Sequence, residues 1–166
     1  MDTAMPKEKL REVFDRITRE VTQASVGIQL VEGGSGPGED FCTVHIGFHQ
    51  GFHSSLSLRA DRRLLTRLSQ AILQTEEISP QDLEDVTKEY FNVLCGHIAQ
   101  MMYQVTRVVS RFDVPAFYRG DFSPEGQREQ FVLNYADDRK DAAQLVHHIP
   151  DGRAAGRYRP CDGSAL

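Results

Sequence analysis

The spacing of apolar residues changes along the chain, and each change marks a predicted element. Apolar residues recur at helical spacing in three segments, which predicts helices over residues 5–22, 62–74 and 80–105. Apolar and polar residues alternate elsewhere, which predicts strands or extended segments over residues 26–32, 42–48, 52–58, 107–114, 114–120, 129–135 and 142–149. This order predicts an α+β fold. We expect one mainly antiparallel or mixed β-sheet of about six strands, with two long helices and an N-terminal helix packed on it.

The segment 80–105 is the strongest helix prediction. Ser79 is suited to cap the first amides, Pro80 suits the first helical position, and Asp82 places a negative charge in the first turn. Because each residue rotates the helix by about 100°, one broad apolar face is expected to enter the core. That face consists of Leu83, Val86, Tyr90, Val93, Leu94, Ile98, Met101 and Val105.

The opposite face of this helix carries the candidate functional residues. It consists of Asp85, Glu89, Asn92, Gly96, Gln100 and Tyr103. A solvated face is ordinarily polar, so exposure alone explains most of them. Two are unusual, because asparagine is a poor helix former and a glycine inside a helix costs about 1 kcal/mol relative to alanine. Glu89 and Asn92 are three residues apart, so their side chains are neighbours.

Composition limits the classes of function. The chain has 166 residues, a net charge of -5 and a pI near 5.7, which argue against a non-specific nucleic-acid binder and against a basic membrane-binding surface. No apolar run approaches the roughly 20 residues of a membrane-spanning helix, and the N-terminus has no hydrophobic signal segment. We therefore expect a cytoplasmic protein with one domain over residues 1–150 and a disordered tail over residues 151–166.

Several common catalytic motifs are missing from the sequence. The glycine-rich loop over residues 33–38, an expected hairpin turn, lacks the GK[ST] ending of a phosphate-binding loop, and no G-x-S-x-G motif occurs. Cys42, Cys95 and Cys161 are scattered without CxxC spacing, which argues against a zinc site or a disulfide framework. Cys95 lies towards the apolar side of the long helix, where a reactive thiolate is unfavourable.

The histidines offer an alternative site. His45, His49 and His53 span a strand, a turn and a second strand, and His45 and His53 could meet across this hairpin to bind a metal ion or a small molecule. The carboxylate or cysteine companions of such a site are not evident, so we expect no metal on this chain. His147 and His148 are adjacent in a predicted strand, so we expect them to face opposite sides of the sheet.

The run over residues 88–96 resembles the signature helix of the CheX/CheC-type chemotaxis phosphatases. In that family an E-x-x-N motif is followed by apolar residues and then a glycine, as Glu89, Asn92 and Gly96 are arranged here. The hairpin and leucine-rich helix before the motif, and the proline–apolar–glycine segment after it, extend the resemblance over residues 26–149.

The resemblance implies an enzyme that hydrolyses the aspartyl phosphate of a CheY-like response regulator. Asn92 would enter the regulator's active site and orient water for in-line attack, and Glu89 would pair with the regulator's active-site lysine. The regulator itself would hold the Mg²⁺ ion, so no cofactor is expected on this chain. The other residues expected to contact the partner are Asp85, Gly96, Gln100 and Tyr103.

The resemblance also has a departure. Family members with two sites carry a second E-x-x-N motif on the first helix, but here Glu12 is followed three residues later by Asp15. A carboxylate would repel a phosphoryl group, so we predict one site per chain, as in the CheX type, which also implies a homodimer. The alternative is a non-catalytic dimeric adaptor of the same fold, which would bind a regulator without hydrolysing its phosphate.

Overall fold

The computed structural model describes residues 5–50 and 53–151. Within these ranges the chain forms three α-helices and seven β-strands. In chain order they are α1 (Lys7–Val26), β1 (Val31–Glu32), β2 (Phe41–Gln50), β3 (Ser55–Asp61), α2 (Arg62–Leu73), α3 (Pro80–Thr106), β4 (Arg111–Phe112), β5 (Ala116–Arg119), β6 (Gln127–Ala136) and β7 (Ala142–Pro150). The predicted tail beyond Asp151 and the predicted turn at Gly51 lie outside the described residues.

The seven described strands form one antiparallel sheet in the order β1-β6-β7-β3-β2-β4, with β5 also paired to β2. β5 pairs with the first half of β2, from Cys42 to His45. β4 pairs with the end of β2, at Phe48 and Gln50. The predicted α+β fold with an antiparallel sheet is confirmed. The sheet has seven strands rather than about six because two short strands follow one another along the same edge of β2.

The three helices pack on one face of the sheet and share a hydrophobic core with it. Alternate residues of the strands enter this core, as the period of two along a strand requires. They include Val44, Ile46, Leu56, Leu58, Leu133 and Leu145. Within the ranges given above, no helix combines the length and the apolar character that crossing a membrane requires.

The first helix is longer than predicted and the first strand is shorter. α1 continues to Val26, and Gly27 ends it in a left-handed conformation (φ 69°) that glycine adopts without strain. The predicted strand over residues 26–32 is therefore reduced to Val31–Glu32, which pairs with the end of β6. The glycine loop that follows is not the predicted hairpin turn, because β6, β7 and β3 separate β1 from β2.

Two carboxylates fasten α2 to the sheet. Asp61 immediately precedes α2, where an aspartate commonly caps a helix, but its side chain makes no capping hydrogen bond. Its oxygens instead accept hydrogen bonds from the amides of Gly38 (2.8 Å) and Ala142 (2.7 Å). The side chain of Asp137, in the turn between β6 and β7, is buried and forms an ion pair with Arg67 of α2. These contacts position α2, against which α3 packs.

The sheet face away from the helices carries a hydrogen-bonded histidine pair. His45 Nδ1 lies 2.7 Å from Ser57 Oγ, which in turn lies 3.1 Å from His148 Nε2. The predicted meeting of His45 with His53 is wrong, because the register places His45 opposite Ser57. In the part of the chain that the structure describes, no group of three or more His, Cys, Asp or Glu residues is arranged to hold a metal ion.

The adjacent histidines of β7 face opposite sides of the sheet, as predicted. His147 lies on the helix side, with its ring centroid 5.3 Å from that of Phe14, whereas His148 belongs to the cluster on the other face. Burial lowers the pKa of His45, His147 and His148 from 6.5 to about 4, and a histidine neighbour contributes for the first two. The unfolded chain therefore binds more protons than the folded protein between these pH values.

We expect stability to depend on pH through these histidines. The depressed pKa values contribute stability that is present above about pH 6.5 and lost as the pH falls towards about 4. The free energy of unfolding, measured by urea denaturation, should fall on the order of a few kcal/mol across this window. His147→Gln should reduce the fall and the exposed His97→Gln should not. A His147 variant with the wild-type pH dependence would contradict this origin.

Candidate functional site

Both ends of α3 are fixed by local contacts, and the cap by Ser79 at its start was predicted from the sequence. Ser79 Oγ accepts a hydrogen bond from the Asp82 amide (3.0 Å), and the Asp82 carboxylate accepts one from the Ser79 amide (3.2 Å). This reciprocal capping box satisfies two amides that a helix start would leave unpaired. At the other end Arg107 adopts the left-handed conformation and its amide donates to Tyr103 O at 2.8 Å. Both ends therefore fix which residues are helical.

The rotation of α3 about its axis is fixed by burial. Phe91, Leu94 and Cys95 are 0% exposed, which defines the inward side of the helix. The Tyr90 hydroxyl also hydrogen-bonds the hydroxyl of Thr22 on α1. Because residues at this spacing share one face, Glu89 and Asn92 are turned away from the core.

Two residues of the predicted apolar face lie outside the core. Val93 is 39% exposed, because it follows the buried Phe91 by about 200° of helix rotation and so shares the outward side with Glu89. Val105 is 54% exposed, because it lies in the last turn of α3, beyond the core. The buried arc is centred on Phe91 and Cys95, which the predicted apolar face omitted.

The side chains of Glu89 and Asn92 have no hydrogen-bond or ion-pair partner among the described residues. Their neighbours on α3 are paired within the helix: Lys88 with Glu84 at 3.5 Å, and Asp85 with Gln81 at 2.8 Å. Within residues 5–50 and 53–151, by contrast, neither the carboxylate of Glu89 nor the amide of Asn92 has a hydrogen-bond or ion-pair partner. Glu89 is exposed and Asn92 partly buried, so both present unused polar atoms on a fixed helix.

These two residues border a shallow hollow of about 380 Å³ between α3 and the segment that joins β4 to β5. Its lining consists of Asp85, Lys88, Glu89, Asn92, Phe112, Asp113, Val114 and Pro115. The sequence predicted the α3 side of the hollow but not the facing wall. The signal in the sequence was Val114 before Pro115, because a residue before a proline is held extended and can project from a sheet edge. In the structure Val114 is 86% exposed.

The facing wall is held in place by β2. The Asp113 amide donates to Gly47 O at 2.8 Å, and the Asp113 carboxylate lies 2.9 Å from His49 Nδ1. A Cβ at Gly47 would stand 3.3 Å from Asp113 Oδ2, so the glycine eases this close approach. His49 therefore supports one wall of the hollow, a role that the sequence did not predict.

The remaining predicted partner contacts do not all reach this hollow. Asp85 lines it, whereas Gln100 and Tyr103 line a separate depression of about 300 Å³ with Ala99, Val109 and Ser110. Gly96 lies between the two along α3. A Cβ built at Gly96 meets nothing within 4 Å, so the packing of the described chain does not require glycine there.

The chemistry available at this surface is hydrogen bonding and charge pairing. A carboxylate and an amide stand side by side, and the amide can both donate and accept hydrogen bonds. The nearby Cys95 is unsuited to act as a nucleophile, because burial raises the pKa of its thiol far above the ordinary value. Such a surface can orient a bound group, but it needs another molecule to supply the reacting centre.

Comparison with known proteins identifies the fold. No family model matches the sequence, and no curated protein matches it. Among solved structures, CheX from Desulfovibrio desulfuricans is 14% identical with a TM-score of 0.69, covering 84% of this chain and 97% of that chain. A CheX–CheY–BeF3–Mg²⁺ complex from Borrelia burgdorferi matches at 14% identity and a TM-score of 0.68, covering 86% of this chain and 98% of that chain.

A CheC-like protein from a Shewanella species is also similar. It is 14% identical with a TM-score of 0.61, and the match covers 87% of this chain and 98% of that chain. At this identity the similarity establishes the architecture rather than the activity. The chain therefore has the fold of the CheX and CheC-like chemotaxis proteins, which confirms at the level of the fold the resemblance indicated by its longest helix.

Proposed function

We propose that this protein is a phosphatase that hydrolyses the aspartyl phosphate of a CheY-like response regulator, in chemotaxis or a related two-component pathway of the cytoplasm. The proposal rests mainly on Glu89 and Asn92, whose polar side chains have no partner among the described residues. Burial of the opposite side of α3 turns them outward, in a CheX-like fold. The similar CheX fold from B. burgdorferi occurs in a complex with CheY, BeF3 and Mg²⁺, which supports a CheY-like partner.

Asn92 is the residue proposed to act on water. Its amide would enter the regulator's active site, accept a hydrogen bond from a water molecule and align that water opposite the aspartyl oxygen. The phosphorus–oxygen bond to the aspartate breaks as a bond to the water oxygen forms, and the regulator's carboxylate is released. Positioning is a large part of catalysis for phosphoryl transfer, so one well-placed amide has a substantial effect.

Glu89 is proposed to fix the orientation in which the regulator docks. Its carboxylate would pair with a lysine of the regulator's active site, in an interface that docking closes from water. A charge pair in such an interface contributes more to specificity than to affinity. Because Glu89 has no ion-pair partner among the described residues, binding breaks no ion pair within this chain.

The rest of the proposed docking surface consists of residues that border the hollow beside Glu89 and Asn92 or lie further along α3. The exposed Val114 and Asp85 border the same hollow, so the regulator would contact both. Gln100 and Tyr103 would be reached only by a partner that lies along α3 and passes over Gly96. The Mg²⁺ ion belongs to the regulator in this proposal, and this chain supplies no metal ligand to the reaction.

The proposed assembly is a homodimer formed through the free edge of the sheet. On the side of β6 away from β7, β1 pairs only with Tyr135 and Ala136, so residues 127–131 have no strand partner on that side among the described residues. An unpaired strand edge can add a strand from a second copy.

The second candidate function is an adaptor of the same fold, which would bind a regulator without shortening the lifetime of its aspartyl phosphate.

We predict that Asn92→Ala strongly reduces catalysis but retains binding. The variant should accelerate the decay of the regulator's aspartyl phosphate at least about tenfold less than the wild type, a loss of about 1.4 kcal/mol of transition-state stabilisation. Its dissociation constant for the regulator should change by less than about threefold, because the amide acts mainly in the transition state. Phosphate decay and binding are measured in parallel.

Controls separate the phosphatase from the adaptor. Gln104→Ala, an exposed change on the same helix, should leave both measurements unchanged. Acceleration by Asn92→Ala as fast as by the wild type would show that the assigned role is wrong. Wild-type binding with no change in phosphate lifetime would favour the adaptor.

We predict that Glu89→Gln acts mainly on binding. Removing the charge while keeping the shape would leave the regulator's lysine enclosed without a counter-charge, so the dissociation constant should rise roughly tenfold and its dependence on salt should weaken. The free energy of unfolding should be unchanged, because the side chain has no partner among the described residues. An unchanged affinity at low salt would contradict the proposed pairing with a lysine.

We predict that Gly96→Ala makes the protein more stable but less active. The free energy of unfolding should rise by about 0.5–1 kcal/mol, because alanine is the better helix former and the added Cβ meets nothing within 4 Å. Phosphate decay should slow if the regulator approaches the helix closely at this position. A variant that is both stabilised and fully active would show that the space at Gly96 is not used.

A further inference from the structure

Another concave site lies on the inner side of α3, away from Glu89 and Asn92. It is a cavity of about 250 Å³ between the start of α1, the second half of α3 and one end of the sheet. Its apolar lining includes Leu10, Phe14, Phe48, Ile98, Met102 and Ile149. Apolar cavities with a few polar groups are typical of small-molecule sites.

The charge of the lining restricts what can bind. The described residues around the cavity include no aspartate, glutamate, lysine or arginine. An ion placed there would lose its hydration without gaining a counter-charge, which is strongly unfavourable. The cavity is therefore suited to a neutral molecule.

The polar atoms of the lining restrict the ligand further. His147 Nδ1 lies 2.7 Å from Gln130 Oε1, and because an amide oxygen only accepts, Nδ1 carries the hydrogen. Nε2 of the neutral ring is then an acceptor, and it has no partner among the described residues. Burial lowers the pKa of His147 to about 4, so the ring stays neutral near pH 7.

The histidine ring is also held in a fixed orientation. The rings of Phe14 and Phe131 lie 5.3 and 5.1 Å from it, on the helix side of the sheet. His147 lines the cavity, and only 4% of its surface is exposed. An unsatisfied acceptor in an apolar enclosure favours a ligand that brings a hydrogen-bond donor.

We infer that this cavity binds a small neutral molecule, mostly apolar, that carries one O–H or N–H group donated to His147 Nε2. An apolar cavity of about 150 Å³ accommodates benzene. The 250 Å³ here therefore fits a single substituted ring or a short branched alcohol. Phenols, indoles and aliphatic alcohols have this chemistry. The inference does not depend on the proposed phosphatase activity, because the cavity shares no lining residue with the Glu89–Asn92 hollow.

The test compares phenol with toluene, which replaces the hydroxyl by a methyl group of similar size. Each is titrated into the full-length protein, and binding is followed by amide chemical shifts. Phenol should bind saturably, with shifts concentrated on the residues around the cavity. The preference for phenol over toluene should fall roughly three- to tenfold in His147→Phe, which keeps a ring but removes the acceptor. An unchanged preference would overturn the inference.

A second variant guards against loss of folding in the first. Ala99 lies at the rim of the cavity, and Ala99→Leu should fill part of it and weaken phenol binding, while the melting temperature stays near that of the wild type. Binding by Ala99→Leu at wild-type affinity would overturn the inference.

Discussion

The burial of one side of α3 is the constraint on which the functional surface depends. A helix docked by a broad apolar stripe can still rotate, and a rotation of about 100° would exchange the position of one residue with that of its neighbour. Here Phe91, Leu94 and Cys95 are completely enclosed, so rotation would expose large apolar groups and leave voids. The Tyr90–Thr22 hydrogen bond ties the same helix to α1. Glu89 and Asn92 therefore point outward because their neighbours in sequence point inward, and their positions need no contact of their own.

The sheet contributes the second half of the surface by a different mechanism. The segment 112–115 has little regular structure, but its position follows from β4 and β5, which pair with successive parts of β2. Between these strands Asp113 is anchored to Gly47 and His49, and the chain then projects Val114 beside α3. Rigid elements on both sides thus hold an open hollow, an arrangement that suits the docking of a second protein better than the enclosure of a small substrate.

The sequence predicted the α3 side of this site because helix periodicity is a local property. The spacing of Glu89, Asn92 and Gly96 was enough to place them on one face. It did not predict the facing wall, because the pairing of β4 with β2 joins residues far apart in the chain, and register between strands is set by tertiary packing. The same limit contributes to the error at β1. α1 continues to Val26, and of the alternating residues after it only Val31–Glu32 finds a strand partner, on β6. Val93 was misplaced because an apolar residue on a predicted helix was taken as core although its angle was outward.

The inner side of α3 belongs to a core that constrains the sequence only weakly, and this chain shares its fold with CheX structures at 14% identity. The inner side requires only apolar groups of suitable volume, and many combinations of residues fill a core equally well. In the proposed function the outer side requires particular atoms. An amide at position 92 would hold a water molecule near a phosphoryl group, whereas a carboxylate in the same place would repel that group. Under this proposal, the difference between a phosphatase and an adaptor rests on a few polar atoms of α3, which leave the fold and its core unchanged.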